Sequence, residues 1–347
     1  MNEKTMQAVL WTGPDQLELD EVQRATATAG ESLVRVELTG LCGTDFSILH
    51  GTHPRAAAPL VMGHEIIGRV CTSERDDLIG RRVAVLPLIS CGDCEPCLGG
   101  HAHVCERLGL YGIDEPGGLA EYAGFPTERL FPLDENVPLR AAALVEPLAV
   151  AVHAVRRSGL TGGESVAVFG AGPIGILTAL VARHYGAGFV VIVEPSEARR
   201  TVARELGFTV IAASDESSSE VRAALPGGAR IVFDTAAHPS VAAQLPRAVA
   251  VRGTVVLVGV YKSPTELDLQ TVTFAELSLI GVRVYTTEDF RDAVRLIEGG
   301  ALGLERLPVA SFPLEETEAA FAEALSAGAA LKVVVTAGRD ALAEVRR

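Results

Sequence analysis

The feature that most narrows the folds open to this chain is the stretch from Ser165 to Glu194. Val166-Ala167-Val168-Phe169 is a short apolar run of the kind that forms a strand buried on both faces. It leads into Gly170-Ala171-Gly172-Pro173-Ile174-Gly175, and from there into an apolar helical stretch ending near Tyr185. A second strand follows at Val190-Val191-Ile192-Val193, with Glu194 at its tip. This is a strand–helix–strand unit carrying G-x-G-x-x-G in its first turn and a carboxylate about 20 residues further on. The first glycine permits the tight turn, the second lets backbone approach a pyrophosphate, and the third lets helix lie close on strand. The free N–H groups and dipole of the helix N-terminus suit phosphate. A dinucleotide site is therefore expected, with Gly170, Gly172, Pro173, Ile174 and Gly175 at the phosphates.

Glu194 also bears on which dinucleotide. A carboxylate there accepts from the adenosine ribose hydroxyls, whereas against a 2′-phosphate like charges near 4 Å repel by about 4 kcal/mol at a surface-like dielectric. NAD is expected over NADP. Arg199 and Arg200 lie close by; solvated charge on the next helix is their ordinary reading, and Arg199 is retained as a candidate cofactor contact along with Val258.

Beyond Glu194 the alternation continues, with strands expected near Thr209–Ile211, Arg230–Phe233, Thr254–Val260 and Leu277–Val284. Six strands in all suit a doubly wound parallel sheet. The chain of 347 residues has room for a second domain. Ahead of the nucleotide unit, Gln7–Trp11, Leu17–Leu19 and Leu33–Leu38 are short strands broken by turns, an antiparallel barrel-like beginning. A helix is expected from about Leu139 through Glu146 to Ala154, one from Phe290 to Glu298, another from Leu314 to Leu325, and a last strand at Lys332–Val335. The domains are expected at 1–152, 153–286 and 287–347, the last segment returning to the first domain.

Two clusters carry metal chemistry. Cys91, Cys94, Cys97 and Cys105 form C-x2-C-x2-C-x7-C on a Gly- and Pro-bearing loop of about 88–106. Four thiolates so close suit a closed tetrahedral zinc site. Ferredoxin-like iron–sulfur ligation is the rival; the long gap to Cys105, with no proline after it, favours zinc. The second set is dispersed: Cys42, His64 with Glu65, and Glu146. A thiolate, an imidazole and a carboxylate are what a catalytic zinc uses, with one position left open. Asp45 is placed to hold the far nitrogen of His64. Glu146, inside a long apolar run, needs a partner if buried. Taken singly, each of these residues reads as structural; Cys71 reads as core packing.

Net charge is −14 with no basic block, which argues against nucleic acid or anionic membrane as a partner. Met1–Leu10 lacks a basic segment followed by an apolar core, so no signal peptide is expected, and no apolar run approaches a membrane span. Clustered cysteines in so long a chain point to metal in a reducing cytoplasm.

In sum, Cys42-Gly43-Thr44-Asp45, Gly63-His64-Glu65, the Cys91–Cys105 lobe, Gly118-Leu119-Ala120-Glu121-Tyr122, Glu146-Pro147-Leu148-Ala149, the Gly170–Gly175 turn and Lys332-Val333-Val334-Val335 occur in an order that resembles the zinc-dependent medium-chain alcohol and polyol dehydrogenases. The Glu-Pro pair is similar to the branch of sorbitol, threonine and butanediol dehydrogenases. The resemblance implies a GroES-like β-barrel catalytic domain completed by the C-terminus, with a Rossmann domain between. It implies catalytic zinc at Cys42, His64 and either Glu65 or Glu146, Thr44 as the hydroxyl taking the substrate proton, and Lys332 near the cofactor pyrophosphate. Where some relatives complete a proton relay with histidine this chain has Ser47, with His50 and His53 nearby. The implied reaction is hydride transfer from a polyol, vicinal diol, sugar or amino alcohol to NAD. A dimer or tetramer is implied, joined through the edge strand of the nucleotide domain. A pocket including Phe46, Leu49, Tyr111 and Tyr285 is expected for the substrate. The rival readings on this fold are a catalytically silent nucleotide-binding or sensing protein and a zinc-free reductase.

Overall fold

The computed structural model describes residues 4–326 and 328–346; the start of the stretch read above for a targeting signal, Met1–Glu3, lies outside the described residues, as do Ala327 and Arg347. The chain divides into two units, residues 1–146 with 286–347, and residues 147–285. The first division falls in the opening turn of the helix Val145–Arg157, six positions before the expected 153, and the return comes at Thr286.

The first unit is antiparallel at its heart. Glu31–Gly40 is its central strand, pairing with Glu65–Thr72, with Tyr122–Pro126 and with Lys332–Thr336. Val34, Val36 and Leu38 are β-branched or apolar and buried, so the strand carries core side chains along its length. Arg82–Val85 and Leu130–Pro132 extend the sheet on one side, and Val309–Pro313 lies beyond Lys332–Thr336 on the other. A second sheet holds Thr5–Gly13 between Gln16–Gln23 and Leu60–Val61. The C-terminal strand thus completes the sheet that the N-terminal chain begins. Arg82 fastens the end of the chain as well: its buried guanidinium pairs with Glu37 at 2.6 Å and with Glu344 of the helix Arg339–Arg346 at 3.0 Å.

The second unit is a six-stranded parallel sheet in the order Thr209–Ala212, Phe189–Glu194, Ser165–Phe169, Ala229–Asp234, Val249–Leu257, Ser278–Gly281. The direction of winding reverses between Ser165–Phe169 and Ala229–Asp234, the point at which doubly wound sheets open a crevice for ligands. The central strands are Val- and Ile-rich because both faces are covered; Val166, Ala167 and Val168 are fully buried.

Some boundaries differ from the sequence expectation. The strand expected at Thr254–Val260 ends at Leu257, because the N–H groups of Val258 and Gly259 both turn to the Asp234 carbonyl at 2.9 Å. The strand expected at Leu277–Val284 is only Ser278–Gly281. The helix expected from Leu139 is two, Leu139–Ala142 and Val145–Arg157, since Pro147 has no N–H to give back to a preceding turn. Leu314–Glu316 is a tight 3-10 turn ahead of the helix Thr317–Leu325.

Candidate metal centre and nucleotide groove

Two elements of the first unit, a helix and a strand, deliver the dispersed donors to one place. Cys42 caps the helix Gly43–Leu49, His64 precedes the strand Glu65–Thr72, and Glu65 opens it. One donor atom from each of Cys42, His64 and Glu65 lies within 4.8 Å of the others. His64 and Glu65 are buried, so their polar atoms are withdrawn from water. Asp45 is fully buried; its Oδ2 accepts the Cys42 N–H at 2.8 Å, and its Oδ1 faces His64 Nδ1 at 3.6 Å, neither of those two atoms having a hydrogen-bond partner. Burial opposes charge on His64, but Asp45, Cys42 and Glu146 outweigh it and hold its pKa well above the usual value. Thr44 Oγ1 lies 4.0 Å from Cys42 Sγ, at the edge of the cluster. Glu146 stands close enough for its charge to act on His64, Glu65 and Lys332. A soft thiolate, an imidazole and a carboxylate converging in buried surroundings fit zinc, with a fourth position free.

Lys332 is held inside the first unit. Expected at the cofactor pyrophosphate, it is 3% exposed, pairs with Glu65 and donates to the Leu41 carbonyl at 2.8 Å. The neighbouring Gly40 leaves the space: a Cβ there would strike Glu65 and Lys332. Burial raises the Glu65 carboxyl to about 7, with Lys332 opposing and Glu146 adding to the shift.

The four-cysteine lobe hangs on the two-stranded pairing of Leu88–Ile89 with Gly109–Leu110. All four sulfurs lie within 4.8 Å of one another. The separations Cys91–Cys105, Cys94–Cys105 and Cys91–Cys97 are 3.4, 3.8 and 3.9 Å, far from disulfide bonding. Sulfurs at the corners of a zinc tetrahedron with Zn–S bonds of about 2.3 Å stand about 3.8 Å apart. The backbone N–H groups of Cys91 and Arg107 both donate to Cys105 Sγ at 3.3 Å, and the first of these leads in pulling that thiol down to about 6, toward the thiolate a metal needs.

In the second unit the glycine turn is built as its sequence requires. Gly170 has φ of 103°, and a Cβ on Gly175 would strike the Gly170 carbonyl, so helix and strand meet with no side chain between them. Gly172 caps the helix Pro173–His184, with Pro173 at its first position and Ile174 following. A cavity of about 570 Å³ opens beside the turn, lined by Gly170, Gly172, Glu194, Arg199, Ser214 and His238 among others. Glu194 does more than face it. Its Oε2 accepts the Ala171 N–H at 2.6 Å and its Oε1 the Ser196 N–H at 2.9 Å, so the acid braces the turn while leaving lone pairs for a ribose. The two arginines part company: Arg200 pairs with Glu197 and the Glu194 carbonyl, whereas Arg199 lines the cavity with its buried Nε free of a hydrogen-bond partner. Val258 directly follows the strand Val249–Leu257, its N–H on the Asp234 carbonyl.

Sequence reasoning passed over Asp234. It is fully buried, accepts the N–H groups of Ala236 and Ala237 at 3.1 and 3.0 Å, and takes the Tyr261 hydroxyl at 2.6 Å. The signal was present, an acid closing an otherwise apolar strand. Among residues expected at a substrate pocket, Phe46 meets Phe321 edge-on at 5.5 Å, Tyr111 meets Phe125 at 5.0 Å, and Tyr285 is fully buried; Leu49 packs against the barrel core. Cys71, expected in the core, is only half-buried.

Residues 28–135 match the alcohol dehydrogenase GroES-like domain, and residues 173–299 match the zinc-binding dehydrogenase family. The 2-dehydro-3-deoxy-L-galactonate 5-dehydrogenase of Pseudoalteromonas atlantica is 35% identical over 91% of this chain and 94% of its own. The RspB alcohol dehydrogenase of Escherichia coli, solved with NADH, superposes with a TM-score of 0.89 at 29% identity, covering 96% of this chain and 99% of that one. A zinc-binding dehydrogenase of Sinorhizobium meliloti, solved with NADP, gives a TM-score of 0.89 at 31% identity over 96% of this chain and all of its own.

Proposed function

Because the chain belongs to the zinc-binding dehydrogenase family, we propose that it oxidises a secondary alcohol of a polyol or sugar acid to the ketone, reversibly, with NAD as hydride acceptor. The observation that carries this is the convergence of Cys42, His64 and Glu65 in buried surroundings. Zinc held there would supply the Lewis acidity that makes an alcohol acidic, and NAD held at the glycine turn would supply the hydride acceptor. The chain's own residues do the rest. Asp45 orients His64, Lys332 balances the buried charge of Glu65, and Thr44 takes the substrate's proton at Oγ1 while handing its own hydroxyl proton outward to water. Glu146 stands by as a further carboxylate donor. Cys91, Cys94, Cys97 and Cys105 hold a structural zinc. NAD is favoured by Glu194, although Arg199 tempers the repulsion a 2′-phosphate would meet. A sugar acid is favoured by the relative that acts on a galactonate derivative. A silent nucleotide binder or a zinc-free reductase would have no use for the Cys42 cluster.

The working form is a homo-oligomer of two or four chains. Ser278–Gly281 ends the parallel sheet with one edge unpaired among the described residues, and Phe274 and Leu269 nearby are 81% and 65% exposed. No described helix is long and apolar enough to cross a membrane. All six cysteines are outside any disulfide, which suits the cytoplasm. The test is reduction of NAD and NADP across polyols, vicinal diols, sugar acids, amino alcohols and simple alcohols. NAD-linked turnover of a polyhydroxy substrate that stops on zinc removal supports the reading; turnover indifferent to zinc refutes it.

A further inference from the structure

His53 stands on a loop that three contacts fix beside the metal cluster. Its own N–H and that of Thr52 donate to the Ser47 carbonyl, at 2.9 and 2.8 Å, on the helix that Cys42 begins. Arg55 pairs with Asp114 through two hydrogen bonds of 3.0 Å, tying the loop to the turn at 110–115. Gly112 of that turn packs directly on the backbone of Gly63, the residue before His64. The loop is therefore braced from both sides of the cluster, and His53 lies within electrostatic reach of His64 and Asp45. His50 is excluded from the same role: its Nδ1 is taken by Asp15 at 2.6 Å on an exposed surface.

The ring's hydrogen bonds fix its proton. His53 Nδ1 faces the N–H groups of Arg55 and Ala56, at 3.4 and 3.2 Å, and can only accept from them. The neutral imidazole then carries its hydrogen on Nε2. Partial burial and the Arg55 charge hold the pKa below the ordinary value, against the opposing pull of Asp114 and Asp45, so the neutral form prevails near neutrality. Nε2 has no protein partner among the described residues.

We propose that His53 is a substrate-binding residue that selects oxygen-rich substrates, its Nε2–H donating to a hydroxyl or carboxylate oxygen of the substrate away from the reacting carbon. This rests on the reading of function above and adds to it. The same geometry argues against His53 as the base that carries the alcohol's proton outward. With its hydrogen on Nε2 the ring has a lone pair only at Nδ1, and a proton taken there would stand against the two backbone amides that Nδ1 accepts.

The test compares His53→Ala and His53→Gln with the parent in the zinc-loaded enzyme, using L-galactonate, D-sorbitol and propan-2-ol with NAD. Glutamine can place an amide N–H where Nε2–H stands but cannot carry a proton. His53→Ala is expected to lose on the order of tenfold in kcat/KM on the polyhydroxy substrates, chiefly through KM, with propan-2-ol unaffected. His53→Gln is expected to recover most of that loss with the pH profile of kcat/KM unmoved. An equal loss on all three substrates, no loss at all, or a glutamine variant as poor as alanine with a displaced pH profile would each overturn the proposal. A parent enzyme that oxidises none of the three would sink the function reading, and this one with it.

Discussion

Glu65 is the residue on which the chemistry of the first unit turns. It lies between a metal cluster and an ammonium, fully withdrawn from water, and burial keeps its carboxyl near 7 despite Lys332. A metal must displace that proton to take the carboxylate. The sign follows: a raised carboxyl pKa means protons compete with metal already at neutrality, and competition grows as pH falls. Zinc affinity at the Cys42 site is therefore expected to drop at least about tenfold from about pH 8 to about pH 6, read by competition with a chromogenic chelator; an affinity flat over that range would contradict this. Cys42→Ser removes the thiolate and is expected to abolish turnover while leaving NAD binding, followed by nucleotide fluorescence, within about twofold. Loss of NAD binding in that variant would show that the two units do not keep their tasks separate. Glu194→Ala acts on both of that residue's jobs: it removes the charge facing a 2′-phosphate and releases the amides of Ala171 and Ser196. The KM for NAD should rise and the preference over NADP shrink; a preference left intact would mean that Glu194 serves only the turn.

At the scale of elements, the cysteine lobe projects from a pairing of two residues with two, and its four sulfurs converge at its centre. Cys94→Ser is expected to lower the melting temperature and zinc content together, as closed zinc sites contribute folding energy outright. Unchanged melting would mean that the lobe stands without its metal. Arg82 is a different anchor. Its truncation takes the partner from Glu37 Oε2, while Arg69 still holds Oε1 at 2.8 Å, so Arg82→Ala should cost about 2 kcal/mol in urea unfolding with zinc content retained; a cost below about 1 kcal/mol would assign the network to the surface class. These two elements also mark what could be read from the chain alone. The lobe was legible because its four ligands fall within fifteen residues, and the nucleotide turn because strand, glycines, helix and acid follow one another without a break. The dispersed cluster was legible only as a set, since each member alone reads as structural. What escaped was long-range pairing. Lys332 and Leu41 are 291 positions apart, and nothing near either announces that a lysine will be buried against a glutamate. The strand ends at Leu257 and Gly281 escaped for a related reason, being set by where hydrogen bonds go after the strand and not by the apolar run within it.

For the whole molecule, the exposed Phe274 and Leu269 beside the outer strand Ser278–Gly281 are what the proposed homo-oligomer rests on. Phe274→Glu is expected to shift the species seen by sedimentation toward the monomer while the isolated fold persists by circular dichroism; a variant sedimenting as the parent does would place the interface elsewhere. The central claim is that one chain joins a zinc-supported oxidation to a dinucleotide groove. The measurement that tests it most directly is zinc per chain, determined on the sample whose NAD reduction with L-galactonate and D-sorbitol is followed before and after partial chelation. The account predicts about two zincs, with activity falling in step with loss of the one at Cys42, His64 and Glu65 while the lobe keeps its own. Activity that survives emptying of that site, or a protein carrying zinc only in the lobe and yet fully active, would contradict it.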